Sequence, residues 1–242
     1  MPNIKIQVTN ESTVLSDGEV AAVVPALQKQ VTEHFAPAWG TDAQLSYVSS
    51  DKLSEDSWWL VVLDNSDQAG ALGYHDLTTN FMPLGKVFAG TDIQFGEQWT
   101  VTASHELLEM LADPDINRVV FDQPTATTGK LYALEVADAC EADANAYDID
   151  GTLVSDFVFP AWFEPNRPAN GTRFDYREHI KNPLELLPGG YIGVFDVTKG
   201  TGWQQVTAEV VAARYADRPR VGSRRERRTT PRDQWLPSRG RQ

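Results

Sequence analysis

Residues 99–112, WTVTASHELLEMLA, constrain this chain more than any other stretch. Their apolar spacing predicts a helix, and Pro114 ends it by disfavouring helical backbone in the residue before it. The Ala, Ser, Leu and Met content points to burial, yet the segment carries His105, Glu106 and Glu109. Buried charges without partners are costly, so these three must be paired or bound to metal. His105 and Glu109 stand four residues apart and project from one helical face. An imidazole and a carboxylate one turn apart can reach a single ion at the roughly 2 Å that zinc requires. Glu106, next to His105 around the helix, faces the place of a metal-bound water. A salt-bridged structural helix is the alternative reading.

Around this helix the pattern is α+β. Ile4–Thr9 (IKIQVT) alternates as a half-buried strand, and Ser16 and Asp17 offer caps for a helix over about 18–36, either kinked at Pro25 or beginning later, that closes at Pro37 and Gly40. QLSYVS (44–49), WWLVVL (58–63), residues 71–75 and GKVFA (85–89) read as strands. The unbroken apolar run of WWLVVL implies burial on both faces. Further on, VVF is strand-like and QPTATTGK a polar loop. LYALEVADAC fits either strand or helix, 153–159 a strand, and 174–182 a short helix. Residues 191–197 and 203–206 bracket TKGTG as a hairpin. A single domain over 1–212 with a central cleft is expected, followed by an Arg-rich disordered tail over 213–242.

Two ligands do not complete a metal site. EVADACE is the best source of a third, because Glu135 and Asp138 would share a face if the segment is helical. Glu141 and His179 are weaker options, and Cys140 reads as a small buried side chain. His75, at the end of a short strand preceding the helix, suits a structural role or one polarising a substrate carbonyl. DANAYDIDG (143–151) fails the EF-hand spacing, and its Asp150-Gly151 reads as a hairpin turn. Phe157, Phe159, Trp162 and Phe163 read mostly as core.

The order of strand, helix, several strands and then a His/Glu helix resembles the N-terminal half of zincin metallopeptidases, where a mixed sheet packs on the metal-site helix. HELLE is similar to their HExxH motif, with Glu109 in place of the second His. The resemblance implies a zincin-like α+β fold with a smaller C-terminal subdomain and Glu106 as general base. It also implies Glu135 as third ligand with Asp138 orienting a ligand His, the reverse assignment standing beside it. SHELLEMLADP followed by EVADACE also resembles exordium-like, phosphate-induced plant proteins and bacterial proteins classed as metallopeptidases. The matching positions are His105, Glu106, Glu109, Asp113, Pro114, Glu135, Asp138 and Cys140, with Gly73-Tyr74-His75 extending the match upstream. The chain departs from the plant proteins in lacking a signal peptide and their additional cysteines.

Composition narrows the partners. Nine Arg against Glu226 and Asp233 give residues 218–242 a charge of +7, leaving −20 on residues 1–217. An acidic body repels nucleic acid and favours cations or basic ligands. No apolar run is long enough for a membrane span, and one cysteine with no secretory leader leads us to expect the cytoplasm. P-loop, dinucleotide and G-x-S-x-G motifs are absent from the sequence. The expectation is a Zn²⁺-dependent hydrolase acting on a peptide substrate, with Mn²⁺ or Ca²⁺ as other metals. The alternative is a non-catalytic binding protein holding a structural metal or none. A third possibility is tethering to a polyanion through the Arg-rich tail.

Overall fold

The computed structural model describes residues 4–67, 71–200 and 202–208. The Arg-rich segment 213–242, expected as a tail, lies outside them. Helices and strands are mixed, an α+β arrangement, as the alternating patterns predict.

The first half forms a five-stranded sheet in the order β2-β1-β3-β5-β4, from β1 (Ile4–Asn10), β2 (Ala43–Tyr47), β3 (Trp58–Leu63), β4 (Gly73–Leu77) and β5 (Pro83–Phe88). β1, β2, β3 and β5 run parallel, and β4 runs antiparallel at the edge beside β5. WWLVVL is the central strand, which is why Leu60, Val61 and Val62 are buried. Helix α1 (Asp17–Lys29) begins with a capping box: Glu19 N–H donates to Ser16 Oγ, and Ser16 N–H donates to Glu19 Oε2. It absorbs Pro25 without breaking, and the predicted single helix instead continues as a π-helical segment, Gln30–Phe35, and a short turn α2 (Ala36–Trp39). Gly40 closes it at φ 72°. A short helix α3 (Ala89–Phe95), not evident in the sequence pattern, precedes α4 (Trp99–Ala112), whose bounds match the predicted helix.

The second half departs more from the sequence reading. The polar stretch QPTATTGK is not a loop: β6 (Val119–Thr125) and β7 (Thr128–Ala133) pair through it. Pro124 is tolerated there because β6 is a sheet edge. β10 (Tyr191–Asp196) and β11 (Trp203–Thr207) form the expected hairpin and complete a four-stranded antiparallel sheet, β11-β10-β7-β6. β8 (Tyr147–Ile149) and β9 (Thr152–Val154) make a second hairpin turning at Asp150 (φ 52°) and Gly151 (φ 89°). The strand expected over 153–159 stops at Val154. The helix expected over 174–182 does not form, because Asp175 accepts hydrogen bonds from the His179 and Ile180 amides and so holds the backbone in a turn. One apolar cluster from Ile6 to Ile192 joins both halves.

Helix α4 packs on β3, β4, β5 and β9. Its N-terminus is held by Asp143, which accepts from the Gln98 amide at 2.8 Å. A buried polar chain fixes its middle: Ser104 Oγ donates to Gln30 Oε1 at 2.7 Å, Gln30 Nε2 donates to Ser155 O, and Ser155 N–H donates to Ser104 Oγ. The π-helical segment, α4 and the chain after β9 are thereby locked together beside His105.

Asp64, just after β3, pins the segment before α1 by accepting from Ser12 Oγ, Thr13 N–H and Thr13 Oγ1. Those donors hold its carboxyl down at about 2, from 3.8. A depressed folded value stabilises the fold above pH ~4 and loses that effect as pH falls toward 2. Asp64→Asn is therefore expected to lower the melting temperature at pH 6, with the deficit shrinking toward pH 2; a pH-independent deficit would contradict this.

Candidate metal centre

Every residue of α4 from Val101 to Ala112 is buried, including His105, Glu106 and Glu109. The four-residue spacing puts His105 Nε2 at 3.3 Å from Glu109 Oε1. Asp138 comes from the other half of the chain. After β7 the backbone leaves the sheet at Ala133, and a 3-10 turn, Asp138–Cys140, brings Asp138 Oδ1 to 3.3 Å from His105 Nε2. The segment is not the helix that would have placed Glu135 and Asp138 on one face. Glu109 Oε1 also accepts the Ala137 amide at 3.2 Å, fixing the turn against α4.

His75 arrives from edge strand β4, opposite Gly85 of β5. Its Nδ1 lies 3.6 Å from both Glu106 Oε2 and Glu109 Oε2, and its Nε2 lies 3.6 Å from Glu135 Oε2. Six predicted residues, His75, His105, Glu106, Glu109, Glu135 and Asp138, thus share one buried site, each between 1% and 7% exposed. They divide by contact: Asp138 stands with His105 and Glu109, and Glu135 stands with His75. Of the weaker options, His179 lies in a separate group with Asp156 and Asp175. Cys140 is buried, and burial, reinforced by carboxylates on either side, keeps its thiol well up from the usual range.

Two further residues stand at this site to which the sequence reading gave no role. Asp113, the C-cap of α4, is fully buried and groups with His75 and Glu135; its Oδ1 accepts from the Asn117 and Arg118 amides. The Asp113-Pro114 pair after the helix was its only trace in the sequence. Tyr191, the first residue of β10, lies near Asp138, and burial with the charges of Asp138, Glu141 and Glu109 raises its phenol. Only tertiary structure brings it here, so no sequence signal exists for it.

Electrostatics follow from crowding. Five carboxylates (Glu106, Glu109, Asp113, Glu135, Asp138) face two imidazoles in a buried site. Burial pushes the Glu109 carboxyl up, and the Asp138 and Glu135 charges push further, against the opposing His105. For His105, burial works against protonation, but the charges of Glu109 and Asp138 prevail and raise the imidazole well above its ordinary value. The carboxylates of the group thus outnumber its imidazoles.

Sterics set the approach of α4 to the sheet. A Cβ built on Gly73 would lie 2.7 Å from Thr102 Cγ2 and 2.8 Å from Glu106 Cγ and Oε1. Glycine there lets Glu106 lie directly against β4. Gly73→Ala should displace Glu106 and destabilise the fold by about 1–3 kcal/mol, the usual cost of overpacking. A chemical denaturation midpoint equal to wild type would contradict that packing.

His105, Glu109 and Asp138 each offer one ligand atom, all within 4.8 Å of one another. His75 belongs to two further groups of this kind, with Glu106 and Glu109 and with Asp113 and Glu135. No helix among the described residues is long and apolar enough to cross a membrane. No protein-family model matches the chain, and neither a curated protein nor a solved structure matches it.

Proposed function

We propose that this protein is a metal-dependent hydrolase of peptide or amide bonds, with zinc held by His105, Glu109 and Asp138. One observation carries this reading: the spacing of the ligand atoms. His105 Nε2 lies 3.3 Å from each carboxylate oxygen. Around a tetrahedral ion with bonds of about 2.0–2.2 Å, neighbouring ligand atoms are about 3.3–3.6 Å apart. Two carboxylates with one imidazole suit zinc or manganese better than calcium, which takes six to eight oxygens. The zincin-like resemblance of HELLE and EVADACE points the same way.

A bound zinc ion supplies Lewis acidity and lowers the proton affinity of a water molecule. The protein's own groups do the rest. Glu106, one residue from His105 and packed on β4, is placed to accept a proton from that water. His75 bridges Glu106, Glu109 and Glu135 and holds their carboxylates in register. Glu135, facing His75 rather than His105, acts as an orienting group. Tyr191, near Asp138 on the second sheet, borders that ligand.

The test is hydrolysis of a mixed peptide library by the zinc-loaded full chain, before and after chelation. Zinc-dependent cleavage supports the proposal, and no cleavage by protein that demonstrably holds zinc overturns it. The burial of all six residues favours a second reading, a structural metal without catalysis, because a hydrolytic centre must admit substrate. That reading expects chelation to lower the melting temperature while turnover is absent in every metal state.

A further inference from the structure

A second cluster lies outside the site described above. Asp156 follows β9, and Asp175 and His179 belong to the turn that replaced the expected helix. Each offers one ligand atom within 4.8 Å of the others. Asp156 and Asp175 are both fully buried. Two fully buried carboxylates that face each other repel unless a proton or a cation lies between them.

Backbone amides orient both carboxylates. Asp156 Oδ1 accepts from the Phe157 amide at 2.8 Å and the Arg177 amide at 3.2 Å. Asp175 Oδ1 and Oδ2 accept from the Ile180 and His179 amides, both at 2.9 Å. Asp156 Oδ2 is buried and has no hydrogen-bond partner among the described residues. The amide bonds thus leave Asp156 Oδ2 as the carboxylate oxygen of the pair without an amide donor. His179 is exposed and closes the cluster on the solvent side. Burial, followed by a hydrogen bond with Asp175 and its charge, raises the Asp156 carboxyl to about 8.

We propose that Asp156, Asp175 and His179 form a second, structural site for a divalent transition-metal ion such as Zn²⁺ or Mn²⁺. The site rests on none of the residues assigned to the first centre. Two carboxylates and an imidazole are borderline donors, which favours these ions over magnesium or calcium. The ion ties the chain after β9 to the 175–180 turn, which the backbone joins through the isolated bridge between Val158 and Asp175. Cys140 is buried where the charges of both centres reach it, from Asp156 and Asp175 on one side and Asp138 and Glu109 on the other.

The experiment counts metal in the full chain after chelation and dialysis against Zn²⁺ alone. Wild type should hold two equivalents, Asp156→Asn one, Glu109→Gln one, and the double variant none. Equal zinc content in wild type and Asp156→Asn overturns the second site, whatever Glu109→Gln shows. His179→Ala changes an exposed side chain and keeps the fold; it should weaken the Asp156-dependent equivalent at least tenfold. Unchanged affinity in that variant also overturns the proposal. So does a carboxyl pair that simply shares a proton, seen as one equivalent in wild type together with metal-independent loss of stability as pH rises through 8.

Discussion

Replacing Glu106 by glutamine is expected to reduce peptide hydrolysis by roughly 10²–10⁴-fold while zinc content stays at the wild-type level. Glutamine keeps the shape that packs against Gly73 and retains an acceptor toward His75, but it cannot take a proton from water. The metal trio is untouched, since Glu106 contacts His75 rather than His105 or Asp138. Loss of activity with loss of zinc would make Glu106 a ligand and move the site toward the His75, Glu106 and Glu109 group. Unchanged turnover would remove Glu106 from the chemistry altogether. An intermediate result is interpretable through kcat and KM: a general base acts on kcat, whereas a binding group acts mainly on KM.

The second large effect concerns Glu109, the residue that touches both halves of the centre through His105 and His75. Its carboxyl is raised when the protein is metal-free, to about 8 from 4.5. A raised folded value contributes stability that is complete below pH ~4.5 and is lost as pH rises through 8. Metal-free protein should therefore lose stability across that window, and saturating zinc should restore it, because the ion replaces the proton. At zinc concentrations near 100 Kd, linkage predicts a gain of about 2.7 kcal/mol. For a chain of this size that corresponds to roughly 5–10 °C in melting temperature. Glu109→Gln should flatten the pH dependence of the metal-free form and abolish its response to zinc at this centre. A variant that keeps the full zinc-induced shift would show that the ion binds elsewhere.

Much of this centre could be read from residue types and spacing. The bounds of α4 were legible because one amphipathic period, a buried composition and Pro114 agree on them. The His105–Glu109 contact follows from helical geometry alone. The central position of β3 follows from WWLVVL, and the start of α1 from Ser16 and Glu19. The choice between Glu135 and Asp138 was not legible, since it depends on β7 ending at Ala133 and on the turn that follows. His75 was placed near the centre by strand order, but its contacts with three glutamates depend on β4 being the antiparallel edge strand. Tyr191 and Asp175 lie far along the chain from the groups they meet, and pattern along the sequence carries no information about such contacts. The 174–182 segment was misread because the Asp175 side chain, not helix propensity, determines its backbone. QPTATTGK was misread because edge pairing overrides its turn-like composition.

The central claim is that His105, Glu109 and Asp138 converge on one ion. X-ray absorption at the zinc edge of zinc-loaded Asp156→Asn protein, which has lost the second site, tests it most directly. The account predicts one zinc per chain, nitrogen and oxygen neighbours at about 2.0–2.2 Å including one imidazole, and no bound zinc once His105→Ala is added to the same variant. A sulfur neighbour, which would make Cys140 a ligand, or a full zinc equivalent retained when His105→Ala is combined with Asp156→Asn, would contradict it.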